Sequence, residues 1–224
     1  MEDSIKPSSK TKTYELMKNF FIFWVGTFVC KIALKISETY ILPYYHVQSP
    51  GIELEELPRH LQSVLGAFTP FYIIFVGPLM EETCFRLGLS FKKKDVFIGI
   101  YVLFFTIFNA YTGKLYNLNF WKLSVMFIVL CGVIYLYKKT KQELFTQIGN
   151  RYGKRITYLF IMLFVLIHIS NFTSFEWGQL SYFMCYFSYI FILSYCITRL
   201  RIYNGFWWGY GLHIVNNTFA VLAT

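Results

Sequence analysis

Charge is scarce in this sequence. Only 15% of its 224 residues are Asp, Glu, Lys or Arg, while 56% are hydrophobic. Soluble domains carry about 25% charged residues, so the shortage excludes an ordinary soluble protein and points to a multi-span membrane protein. Acid is scarcer than base, 12 residues against 21, which leaves a formal charge of +9. That excess does not make a nucleic-acid surface. The bases fall in clusters between apolar runs: Lys92, Lys93 and Lys94; Lys138, Lys139 and Lys141; Arg151, Lys154 and Arg155; Arg199 and Arg201. This is the positive-inside pattern, so the bilayer is the expected partner and nucleic acid is not. Paired cysteine spacing is missing too. Cys30, Cys84, Cys131, Cys185 and Cys196 are odd in number and lie in or beside apolar runs. They exclude a disulfide framework or a cysteine-type zinc site and read as small buried hydrophobes. Residues 1–19 lack the basic, apolar, small-residue order of a cleaved signal peptide. They read as a short mobile cytoplasmic tail, with the first span kept in place. No internal repeat, low-complexity segment or H-E-x-x-H motif is present.

What remains is a series of apolar runs. Spans are expected at residues 20–36, 64–89, 95–111, 120–137, 156–169, 181–198 and 205–222. Residues 37–62, with four acids and three prolines, read as an outer loop holding a short amphipathic helix; His46 and His60 are exposed there. Residues 113–119 read as a polar turn, 138–155 as a basic loop with a surface helix near 143–148, and 171–179 as a polar connection. The expected fold is all-α, a polytopic transmembrane helical bundle of about seven to eight spans. Its N-terminus is cytoplasmic, and residues 20–224 form one membrane domain.

Polar groups interrupt three of these spans. The second carries Glu81, Glu82 and Arg86. A charge at the centre of a membrane helix costs about 3 kcal/mol on insertion scales, so the cluster reads as a functional site. Glu82 and Arg86 are four apart with the acid first, the better order for an ion pair. Glu81 points about 100° away from Glu82 and is assigned to chemistry. Pro78 removes a helix hydrogen bond and releases the Ile74 carbonyl beside the acid. The fifth span carries Phe164 and His168, and the seventh carries His213 and Asn217; each pair is four apart on one helix face. Glu81 and His213 each lie roughly 15 Å from the nearest basic boundary, and His168 about 20 Å, so one site at shared depth is feasible. A carboxylate and an imidazole can take a proton from water, and an imidazole with a carboxamide can donate to an oxyanion. The set suits hydrolysis of an amide or ester by activated water. Ser90, Ser170, Ser174 and Ser181 stand at no helical spacing from either histidine, which disfavours a serine nucleophile. A zinc site of Glu81, His168 and His213 stays open.

Together the segments Glu81-Glu82-Thr83-Cys84-Phe85-Arg86, Phe164-Val165-Leu166-Ile167-His168 and His213-Ile214-Val215-Asn216-Asn217 resemble the CAAX prenyl endopeptidase and bacteriocin-processing (Abi) family of intramembrane proteases. Its pattern is E-E-x-x-x-R, F-x-x-x-H and H-x-x-x-N or H-x-x-x-D on separate membrane helices. The run from Ile202 to Gly209 also resembles the family's approach to the last motif, and the likeness covers residues 69–220. It implies Glu81 as the water-activating base with His168 sharing that water, His213 and Asn217 as the oxyanion pair, and Glu82, Arg86 and Phe164 in support. No cofactor is implied by a glutamate-dependent reaction; zinc is the alternative. The implied substrate is a peptide or protein in or at the membrane. Abundant Phe, Tyr, Ile, Lys and Asn point to an AT-rich genome and a bacterial plasma membrane. That favours a membrane-bound or leader-bearing peptide over a prenylated tail. Two rivals stand beside the protease: a non-catalytic immunity or scaffold protein on the same fold, and a transporter or proton relay, which the missing repeat symmetry disfavours.

Overall fold

The computed structural model describes residues 9–112 and 120–222, and among these it is helical with no strand. The long helices are α1 (Ser9–Ile36), α2 (Gly51–Leu65), α3 (Gly77–Phe85), α4 (Lys93–Thr112), α5 (Phe120–Lys139), α6 (Gln142–Ile167), α7 (Leu180–Asn204) and α8 (Phe206–Leu222). Five continuous helical stretches are long and apolar enough to cross a membrane: Ser9–Tyr44, Gly51–Phe85, Phe120–Lys139, Gln142–Asn171 and Trp177–Asn204. This is the make-up of an integral membrane protein, with five such stretches where seven to eight spans were expected. α8 has 17 residues, a length of about 25 Å against a hydrocarbon core of about 30 Å. Large apolar side chains such as Phe28, Phe127 and Ile128 face outward, as lipid-facing helices require.

The chain forms two compact units, Met1–Val76 with Ile161–Thr224, and Gly77–Phe160. In the first unit α7 is the central helix. It buries Tyr182, Tyr186, Ile190, Leu193, Cys196, Ile197 and Leu200 and packs against both α1 and α8. Small residues permit the close approach: a Cβ on Gly26 would lie 3.0 Å from the Ile192 side chain, and one on Gly209 would lie 3.0 Å from the Ile197 carbonyl oxygen. Gly205 joins α7 to α8 at φ 104°, a left-handed-side conformation that a side chain would strain.

In the second unit α4 packs against α3 and α5. A Cβ on Gly99 would lie 3.2 Å from the Thr83 carbonyl, so α4 meets α3 backbone to backbone. Phe97 sets its ring edge-to-face against Tyr137 and Phe145. The Phe91 ring lies over Gly149, while Gln142 accepts from the Lys93 amide and donates to the Phe91 carbonyl.

Several expected boundaries are corrected. The predicted mobile tail is helical from Ser9. Arg199 pairs with Glu15 at 3.2 Å, and buried Asn19 donates to the Glu15 carbonyl at 2.6 Å, which ties the start of α1 to α7. The predicted outer loop is mostly helix. α1 runs on through the π turn Ser37–Ile41 and Leu42–Tyr44, where Ser37 and Ser181 share a 2.7 Å hydrogen bond, and α2 follows. His46 and His60 are exposed as expected. The second run is not one straight helix over residues 64–89. It breaks at Gly66, φ 53°, passes through the π turn Tyr72–Val76 and ends at Phe85, with Arg86 at φ −128°. The expected basic loop of residues 138–155 is largely helix: Lys138 and Lys139 end α5, and residues 142–155 are the first half of α6, continuous with the expected fifth span. Residues 113–119, expected as a turn, lie outside the described residues. Three cysteines are buried as expected, but Cys131 is exposed and Cys185 half-buried.

Candidate functional site

The polar residues of the second unit sit on α3 and just past its end. Pro78 occupies the first turn of α3, where its missing N–H costs least. Glu82 and Arg86 form a direct charge-assisted pair, and both are almost wholly shut from solvent at 0% and 1% exposure. The Arg86 amide also bonds the Glu82 carbonyl at 3.0 Å, so the pair is formed across one turn of backbone. This matches the sequence expectation of a clasp. Glu81 is half-buried, with its Oε2 shut off from solvent. Below it, Cys84 and Thr106 link α3 to α4 at 3.4 Å.

The first unit holds the histidines and Asn217. His168 is not inside the α-helical part of its span, as the run of apolar residues implied. It begins the 3-10 turn His168–Asn171 that follows α6. Its Nδ1 lies 2.7 Å from the Phe164 carbonyl oxygen. A carbonyl can only accept, so Nδ1 carries a proton, and of the two neutral tautomers the one with its lone pair on Nε2 is selected. Phe164 is fully buried and packs between the two imidazoles, 4.7 Å from His168 and 6.1 Å from His213, centroid to centroid. The structure therefore brings Phe164, His168 and His213 together around one aromatic ring. His213 is 3% exposed.

Asn217 is engaged in a way the sequence did not reveal. Its Nδ2 donates to the Ile73 carbonyl at 2.9 Å, and its Oδ1 accepts from Asn216 Nδ2 at 3.2 Å. Asn216 Oδ1 in turn accepts from the Tyr189 hydroxyl at 2.6 Å. In a π turn each carbonyl is offered to the fifth amide along the chain, and for Ile73 that is Pro78, which has no N–H. Pro78 offers no N–H to the carbonyls one turn before it, and the Asn217 side chain supplies a donor to that of Ile73. Asn216 was visible as a second amide in an apolar run; nothing in the sequence marked Tyr189.

Beyond His168 an apolar cavity of about 410 Å³ opens between the 172–175 segment and α7, lined by Phe172, Phe175, Phe183, Met184 and Phe187. One wall is fixed by Glu53 of α2, which accepts from the Thr173 amide and from the Thr173 and Ser174 hydroxyls. The four serines have partners other than histidine: Ser90 donates to Asp95, Ser170 to the Ile167 carbonyl and Ser174 to Glu53, and Ser181 shares its bond with Ser37. Among the described residues no three His, Cys, Asp or Glu side chains are gathered as metal ligands.

No family model, curated protein or solved structure matches the chain. What each unit offers is distinct: an acid pair with its arginine in one, and in the other an imidazole of fixed tautomer, a second imidazole across a phenylalanine, and a carboxamide bonded to a released carbonyl.

Proposed function

We propose that the protein is an intramembrane endopeptidase, similar to the CAAX prenyl endopeptidase and bacteriocin-processing family, that hydrolyses peptide bonds with an activated water. Glu81 takes the proton from water, His168 takes part in the same step through Nε2, and His213 and Asn217 donate to the oxyanion. Glu82, Arg86 and Phe164 support them. The observation that carries this reading is the fixed tautomer of His168, because an imidazole whose N–H is committed to a backbone carbonyl is preset as a base. The apolar cavity after His168 suits a bulky apolar side chain of the peptide. The substrate is a membrane-bound or leader-bearing peptide. The same proposal has the chain cross a bacterial plasma membrane seven to eight times with its N-terminus in the cytoplasm.

A second reading is a non-catalytic immunity or scaffold protein. It is favoured by one observation: the Glu82–Arg86 pair and the Asn217–Ile73 bond each answer a purely structural need. The deciding experiment is cleavage of a quenched peptide library by the purified protein in detergent, wild type against Glu81→Gln, with and without a strong zinc chelator. Cleavage that vanishes in the variant and survives the chelator is expected. Cleavage lost to the chelator and restored by zinc makes Glu81, His168 and His213 metal ligands. Equal cleavage by both proteins removes Glu81 from the reaction.

A further inference from the structure

We infer that Tyr189 and Asn216 are positioning residues that fix which way round the Asn217 carboxamide sits. The direction is set at the far end of the hydrogen-bond chain. A backbone carbonyl only accepts, so the Asn217 atom 2.9 Å from the Ile73 oxygen is the amide nitrogen. Its oxygen then faces Asn216, which must present nitrogen at 3.2 Å. The Asn216 oxygen is left for the Tyr189 hydroxyl, which donates at 2.6 Å. Every link thus runs in one direction, from Tyr189 on α7 through α8 to the π turn, and bonds aligned this way polarise one another. Reversing either amide would set two donors or two acceptors face to face. The relay holds the Asn217 N–H groups toward Ile73, with one bonded to the carbonyl and the second carried in a fixed direction beside it. A carboxamide has two N–H groups, so closing the π turn and donating to an oxyanion are compatible roles for one side chain.

Removing the hydroxyl of Tyr189 takes away the donor at the head of the chain, which holds the Asn216 oxygen in place, and leaves the ring. Replacing Asn216 by Asp keeps the acceptor for Tyr189 and removes the donor to Asn217. The catalytic consequence rests on the endopeptidase reading; the orientation itself does not. The test is therefore two-fold. The protein is labelled with ¹⁵N-asparagine in detergent micelles, and the Asn217 side-chain NH₂ signals are identified by their loss in Asn217→Asp. The expected result is that Tyr189→Phe and Asn216→Asp each move or broaden that NH₂ pair while the thermal unfolding midpoint of Tyr189→Phe stays close to wild type. In peptide cleavage, Tyr189→Phe is expected to lower kcat about five- to tenfold with KM unchanged, the size of one neutral hydrogen bond. An Asn217 NH₂ pair that is unmoved in both variants overturns the relay. A moved pair with unchanged kcat in an active enzyme overturns its role in turnover. If the wild type cleaves nothing, the endopeptidase reading falls, and the NMR result alone upholds or overturns the relay.

Discussion

Glu82 and Arg86 are joined within one helical turn, whereas Tyr189, Asn216, Asn217 and the Ile73 carbonyl come from three separate segments. Both arrangements shelter polar groups in an apolar chain, the first fully and the second in part, but they solve different problems. The first hides two full charges by placing them against each other, and its geometry is dictated by an i, i+4 spacing. The second hides no charge. It supplies a side-chain donor to a backbone carbonyl in a π turn running into a proline, with partners 27 and 144 residues apart in its outer links. Charge pairs can be local because electrostatics favours the nearest partner. A released carbonyl takes its donor from whichever helix packs against it.

Substitutions separate the two arrangements. The largest loss is expected for Arg86→Ala, which strands Glu82 as an uncompensated buried charge at a cost of about 3–5 kcal/mol. Reduced abundance and a lower unfolding midpoint in detergent would register it. Replacing both partners, Glu82→Met with Arg86→Leu, is expected to recover most of that stability, because an apolar pair of similar volume leaves nothing unpaired. A double variant as unstable as Arg86→Ala alone would mean that the pair itself, and not the stranded charge, sets the cost. Asn217→Ala is expected to cost less, about 1–3 kcal/mol, since it exposes one carbonyl to an apolar surrounding. The same change is expected to slow turnover by roughly 10²–10³-fold if the amide is also an oxyanion donor. Stability loss with turnover changed less than about threefold would confine Asn217 to the repair of the backbone. The smallest effect is expected for Glu53→Gln, which weakens three hydrogen bonds to an exposed segment. Faster amide exchange at Thr173, with the unfolding midpoint unchanged, would show it.

The same contrast explains what could be read from the sequence. The helical class and the apolar make-up follow from composition. The Glu82–Arg86 clasp and the Phe164–His168 pairing follow from spacing, because partners four apart on a helix have to meet. The start of α1 was missed because Glu15 and Asn19 look like solvated tail residues until Arg199 and α7 are placed beside them. The break at Gly66 and the π turn were missed because hydropathy does not register a change of helical register. Tyr189 was missed for a related reason: chain patterning gives no signal for a neutral partner on another helix.

The central claim is that Glu81 and His168 act in one hydrolytic step. The most direct measurement is peptide cleavage by the purified protein carrying Glu81→Gln, His168→Ala, and both changes together. Residues acting as a unit are strongly non-additive. The account predicts that each single change abolishes nearly all cleavage and that the double variant is no slower than the worse single one. Two partial losses that multiply in the double variant would contradict it, as would full cleavage by either single variant.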